Sequence, residues 1–133
     1  MKVTDISDNF FQIVGKFAKK GKYQPLVKIS KKIFNGQEYC LLKYTHAAQQ
    51  ARAWVSDRFS NEEQKVLTYA RGMVYNSQSG EIVALPFLKF HNFDTLLETD
   101  TVPQGQFSVY NKVDGNLVVL AFYEGSWNVT SSG

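Results

Sequence analysis

Three features predict an α+β fold with short helices at the front and an antiparallel sheet behind them. Apolar residues recur at helical spacing near the start, where Phe10, Ile13, Val14 and Phe17 share one face. From residue 38 onward, short runs rich in β-branched and aromatic residues are separated by polar, glycine-containing turns. The composition, 44% hydrophobic and 20% charged, is that of a chain able to bury a core rather than stay disordered.

Taken in order, the first helix starts at Asp8 or Asn9 as N-cap and ends within Lys19 to Lys22, which contains Gly21. Pro25 is placed to open a second short helix, with Leu26, Ile29 and Ile33 on one face and Asn35-Gly36 closing it. Residues 1–36 thus read as a basic helical segment and 37–133 as mainly β. Glu38 to Tyr44 predicts a mostly buried strand. In 45–66, Ala47, Ala48, Ala51, Trp54 and Val55 would share a helical face, and Ser60 with Glu63 forms a capping box. Val66 to Tyr75 and Glu81 to Phe87 predict paired strands joined by a turn over residues 76–80. A last hairpin is expected from Phe107 to Val113 and Asn116 to Tyr123 around Asp114-Gly115, with Trp127 to Thr130 as one more strand.

A mass of 15.1 kDa suits one domain. The longest purely apolar run, Leu117 to Phe122, falls far short of the roughly 20 residues a membrane helix needs. No basic-then-apolar leader is visible at the start, and Cys40 is the sole cysteine. An intramolecular disulfide is therefore impossible, and a cytoplasmic location is the expectation. His46, His91 and Cys40 lack any zinc-ligand spacing, so a zinc site is not expected. The net charge of +3 is uneven: eight lysines oppose Asp5 and Asp8 in residues 1–32, giving +6 there and −3 over the rest. Such a patch suits an anionic partner, with a solvated helix face as the plain alternative.

The expected hairpin carries Lys112-Val113-Asp114-Gly115. Alone, this is equally well a turn with a lysine facing water. It follows Arg71-Gly72 and then Pro86-Phe87-Leu88-Lys89-Phe90-His91-Asn92. With these three stretches in this order, the chain resembles bacteriophage-type ATP-dependent RNA ligases, members of the covalent nucleotidyltransferase superfamily. The resemblance runs from about residue 38 to the end, and Thr130-Ser131-Ser132-Gly133 looks like the start of the family's next conserved strand.

That resemblance implies the N-terminal part of an adenylyltransferase domain, an incomplete nucleotidyltransferase (ATP-grasp-like) core. It implies that Lys112 attacks the α-phosphate of ATP to form a lysyl-AMP intermediate, which is then used to join RNA 5′-phosphate to 3′-hydroxyl ends. Arg71 and Lys89 take the family's phosphate-binding positions, chemistry that fixed cations suit. Tyr44 matches an upstream ATP-contacting tyrosine, and Gly115 would let backbone approach the nucleotide. The plain alternatives are an exposed strand arginine, a snorkelling lysine and a rim aromatic. Mg²⁺ is expected, held mainly by ATP phosphates and carboxylates. His91 stands where an aromatic is usual, and Ser132 where some relatives carry lysine.

The family's downstream glutamate-centred, Glu-Gly and Lys-x-Lys strands are not found, so a missing or separately encoded portion is expected as partner, and autonomous activity of the chain is a question for a labelling assay. A catalytically inactive remnant that binds nucleotide or RNA, and a fortuitous hairpin in an unrelated α+β protein, remain as alternatives. An open apolar flank on the last hairpin is a further expectation.

Overall fold

A computed structural model of the chain describes residues 1–20, 24–91 and 105–131. The architecture is α+β. Helix α1 (Phe10–Ala18) is followed by strands β1 (Val27–Phe34) and β2 (Gln37–Tyr44), helices α2 (His46–Gln50) and α3 (Asn61–Tyr69), then strands β3 (Arg71–Asn76), β4 (Ile82–Ala84), β5 (Val118–Tyr123) and β6 (Ser126–Ser131). Strands β1 to β4 form an antiparallel meander in chain order, and β5 pairs with β6 in a separate two-stranded sheet.

The expected first helix forms as read, with Phe10, Ile13, Val14 and Phe17 all buried. It lies with α3 on one face of the four-stranded sheet, against Val27, Leu42 and Met73. Phe10 is the keystone: its ring meets Phe11 and Tyr75 edge-on, at centroid distances of 5.7 and 5.5 Å. Burying a side chain of this size contributes roughly 1.5–3 kcal/mol. The capping box forms as well. Ser60 Oγ accepts from the Glu63 amide at 3.2 Å, and Glu63 Oε2 accepts from the Ser60 amide at 2.9 Å.

Three expected elements are corrected. The segment after Pro25 is a strand, not a helix, because Asn35-Gly36 is a hairpin turn rather than a helix stop. Both residues take positive φ (48° and 75°), the two-residue geometry that matches strand twist, and Phe34 pairs with Gln37 across it. Residues 66–69 are helical, because the helix started by Ser60 runs on and buries Val66 and Leu67; the strand begins only at Arg71. The β4 strand is correspondingly short, and residues 85–91 carry no strand.

The third correction concerns the last hairpin. Its turn is Glu124-Gly125, again with two positive φ values (49° and 75°), so β5 pairs with β6. The residues from 105 to 117 form no strand, and Asp114-Gly115 is a bend with Gly115 at φ 144°. Between the first sheet's turns, residues 76–80 form the expected connection. Asn76 Oδ1 accepts from the Gln78 and Ser79 amides at 2.9 and 3.1 Å.

The β5–β6 hairpin lies over the sheet face opposite the helices. Tyr123 and Tyr39 meet edge-on at 6.4 Å, Tyr123 donates its hydroxyl to Glu81 at 2.7 Å, and Gln37 Nε2 donates to Glu124 at 3.2 Å. Val118, Leu120, Phe122, Trp127 and Val129 share one face of the hairpin and are exposed; the open positions are thus the alternating neighbours of Val119, which is itself half-buried. Among the described residues, no helix is long and apolar enough to cross a membrane.

Candidate functional site

The end of β2, the start of β3 and the segment before residue 91 converge at one end of the sheet. The Tyr44 amide donates to Ala70 O at 2.5 Å, which ties β2 to the residue linking α3 and β3. Thr45 then turns the chain. Its hydroxyl donates to Pro25 O at 2.6 Å and accepts from the Ala48 amide at 3.3 Å, capping α2. The turns after α2 place Trp54 against Tyr44, with ring centroids 4.9 Å apart and planes at 86°.

The returning segment is held by its backbone. The Lys89 amide donates to Thr68 O at 2.9 Å, and Arg71 Nη1 donates to Leu88 O at 3.2 Å. The Arg71 guanidinium sits 3.9 Å from the Phe90 ring centroid. Lys89 Nζ lies 4.9 Å from the Trp54 ring and 5.2 Å from the Tyr44 ring. Each such contact contributes about 0.5–2 kcal/mol according to how dry it is. His91 closes the group, its ring 6.1 Å from Trp54. A cavity of about 260 Å³ opens here between Gln49, Arg52, Trp54, Lys89, Phe90 and His91.

Tyr44, Arg71 and Lys89 are therefore neighbours, although 45 positions separate the first from the last. Two cations held on aromatic faces, beside a cavity, suit phosphate oxygens. Trp54 adds a further feature, since its indole Nε1 is buried with no hydrogen-bond partner among the described residues. An unmet buried donor costs about 1–3 kcal/mol. Trp54 reads in the sequence only as one apolar position on a helical face. The signal that could have singled it out is aromatic pairing across a turn, which no periodicity captures.

Among the described residues, no hydrogen bond, ion pair or ring contact joins Lys112 or Gly115 to this group. Both are exposed on the strandless 105–117 segment. Lys112 has no hydrogen-bond or ion-pair partner among the described residues, and a Cβ on Gly115 would meet nothing within 4 Å. Asn92, Ser132 and Gly133 of the expected motifs, and Gly21 and Lys22 of the basic segment, lie outside the described residues.

A second cavity, about 640 Å³, separates the two sheets and is lined by Lys32, Phe34, Tyr39, Val83, Trp127 and Val129 among others. Cys40 takes no part in either cavity. Burial pushes its thiol up from the ordinary value against a partly offsetting hydrogen bond with Tyr75, so it is not poised as a nucleophile. Among the described residues, no group of three or more His, Cys, Asp or Glu could hold a metal ion. Arg71 and Lys89 are cations, so the group suits phosphate oxygens.

No family model matches the chain, and no solved structure matches it. The sequence is 27% identical over 82 residues to a protein of Autographa californica nuclear polyhedrosis virus named "Putative bifunctional polynucleotide kinase/RNA ligase". That similarity covers 55% of this chain and 12% of the viral protein, so the chain spans about an eighth of the length of the curated relative it matches. The relationship it suggests is RNA-ligase-like and distant.

Proposed function

We propose that the chain is part of an ATP-dependent RNA ligase, supplying the lysine that carries AMP and the cations that hold the triphosphate. The observation that supports this reading best is the gathering of Tyr44, Arg71 and Lys89 around Trp54 and Phe90. The order of the Arg-Gly, Pro-Phe-x-Lys-Phe and Lys-x-Asp-Gly stretches and the viral relative add to it.

In this reading, Arg71 and Lys89 neutralise the phosphates of ATP while Tyr44 borders the nucleotide. The Lys112 amine attacks the α-phosphorus, a P–N bond forms, and the P–O bond to pyrophosphate breaks as the amine loses its proton. The resulting lysyl-AMP passes its AMP to an RNA 5′-phosphate, and a 3′-hydroxyl displaces AMP to seal the strand. A primary ammonium in water is no nucleophile, so the 105–117 segment must bring Lys112 to the Arg71–Lys89 group, where desolvation and neighbouring cations favour the free amine. Mg²⁺ would supply further charge neutralisation at the phosphates that bring it. A second reading, a module that binds nucleotide or RNA without turnover, is favoured by one observation: Lys112 is exposed and has no hydrogen-bond or ion-pair partner among the described residues.

Incubation with α-labelled ATP and Mg²⁺, followed by a denaturing gel, separates the two. The ligase reading expects a covalent label that pyrophosphate removes and Lys112→Ala abolishes. ATP binding with no covalent label would reject autonomous adenylation and favour the binding module instead.

A further inference from the structure

The basic segment divides by face once β1 is a strand. Lys31 pairs with Glu38 at 3.0 Å on one side of β1, and Lys16 on α1 pairs with Glu63 at 2.5 Å. Lys28 and Lys32 fall on the other side with Ser30 and Phe34. There Lys28 stands directly opposite Lys43, Ser30 opposite Leu41, and Lys32 opposite Tyr39. Lys43 is in turn in register with Arg71 on β3, beside a bulge. Three cations therefore occupy one row across β1, β2 and β3.

Like charges directly opposite destabilise a sheet. Among the described residues, Lys28, Lys32 and Lys43 have no ion-pair partner that would relieve the repulsion. Glu81, and Glu124 of the β5–β6 turn, are engaged by Tyr123 and Gln37 respectively. Lysines commonly blunt edge strands, and β1 is an edge strand. That role does not account for Lys43, which lies on the interior strand β2.

We infer that this face tracks the sugar-phosphate chain of single-stranded RNA. Lys28, Lys43 and Lys32 engage phosphates, while Phe34 and Trp127, exposed beside Lys32 in the cavity between the sheets, offer rings to bases. From Lys28 to Lys32 the strand rises about 13 Å, longer than a triphosphate with its shared bridging oxygens. The choice of RNA as the strand rests on the RNA-ligase reading; the cationic track does not.

Fluorescence anisotropy of the full chain with a labelled single-stranded RNA of about 12 nucleotides, over a range of salt, tests this. Exchanging Lys28, Lys32 and Lys43 together for Gln is expected to reduce the slope of log K against log salt by about 2, near 0.7 per lost phosphate contact. Lys31→Gln is expected to leave the slope unchanged, and Phe34→Ala to weaken binding by about tenfold at constant slope. Should circular dichroism show the triple variant unfolded, Lys43→Gln alone must still reduce the slope by about 0.7. Absence of RNA binding by the unaltered chain overturns the inference. So does an unchanged slope in a folded variant, including one whose only change is self-association, which would assign the lysines to edge protection. The ATP label read on the same preparations separates the two claims. A label with an unchanged slope keeps the ligase and rejects the track, and a reduced slope with no label does the reverse.

Discussion

The residues up to His91 and those from 105 to 131 are built on opposite principles. Every buried hydrophobic side chain among the described residues lies between Val3 and Ala84, where helices α1 and α3 press on the four-stranded sheet. In the later region the β5–β6 hairpin keeps its large side chains open, and the segment carrying Lys112 forms no strand. The first region holds the fold and the phosphate-suited cations, and the second holds the lysine proposed to react. Apolar content alone does not decide burial. Leu117 to Phe122 is the longest apolar run in the sequence, yet Phe122 is 62% exposed and Phe10 is fully buried.

That contrast breaks most sharply with one change of residue type in two places. Phe10→Ala is expected to cost about 3–5 kcal/mol in urea unfolding, because the surrounding Phe11 and Tyr75 rings cannot collapse fully into the space. Phe122→Ala, the same truncation on the hairpin's exposed apolar face, is expected to stay within about 0.5 kcal/mol. Equal losses would place the hairpin inside the cooperative core and remove the distinction.

The next effect sharpens the account of the core itself. Ser60→Ala removes the cap of α3 and is expected to cost about 1 kcal/mol. Its partner Glu63 gives the same element a pH dependence. Burial raises the Glu63 carboxyl, but hydrogen bonds from Lys16 and Ser60 outweigh it and leave the group below its ordinary value near 4.5. A depressed folded value means stability present above the unfolded value and lost as pH falls through the folded one. Glu63→Gln should therefore flatten the acid limb of a stability–pH curve.

The smallest effect concerns the link between the regions. Tyr123 is pushed up to about 12 by its hydrogen bond to Glu81, with burial adding to the shift. Tyr123→Phe removes this bond at constant volume. Hydrogen exchange is expected to speed in β5 and β6 while α1 and β2 keep their protection. Equal acceleration in both regions would show that the hairpin is part of the cooperative unit after all.

Legibility followed the locality of each signal. The α1 face and the Ser60–Glu63 cap were readable because each is complete within one or two helical turns. Asn35-Gly36 misled because one dipeptide serves both as a helix stop and as a hairpin turn, and only the partner strand Gln37–Tyr44 decides. Asp114-Gly115 has the stronger hairpin composition, yet Glu124-Gly125 forms the turn, since pairing β5 with β6 lets Tyr123 reach Tyr39 and Glu81. At the site, Arg71 and Lys89 were legible through motif order. Trp54 was not, because its meeting with Tyr44 and Lys89 is a product of tertiary structure.

The central claim is that Lys112, from the open region, acts on a nucleotide held by the Tyr44, Arg71 and Lys89 group of the packed one. Peptide mapping of the chain after reaction with labelled ATP tests it most directly. AMP on the peptide containing Lys112, lost in Arg71→Ala and Lys89→Ala variants that remain folded, is the predicted result. Label on a different lysine, or label on Lys112 that survives both substitutions, would contradict it.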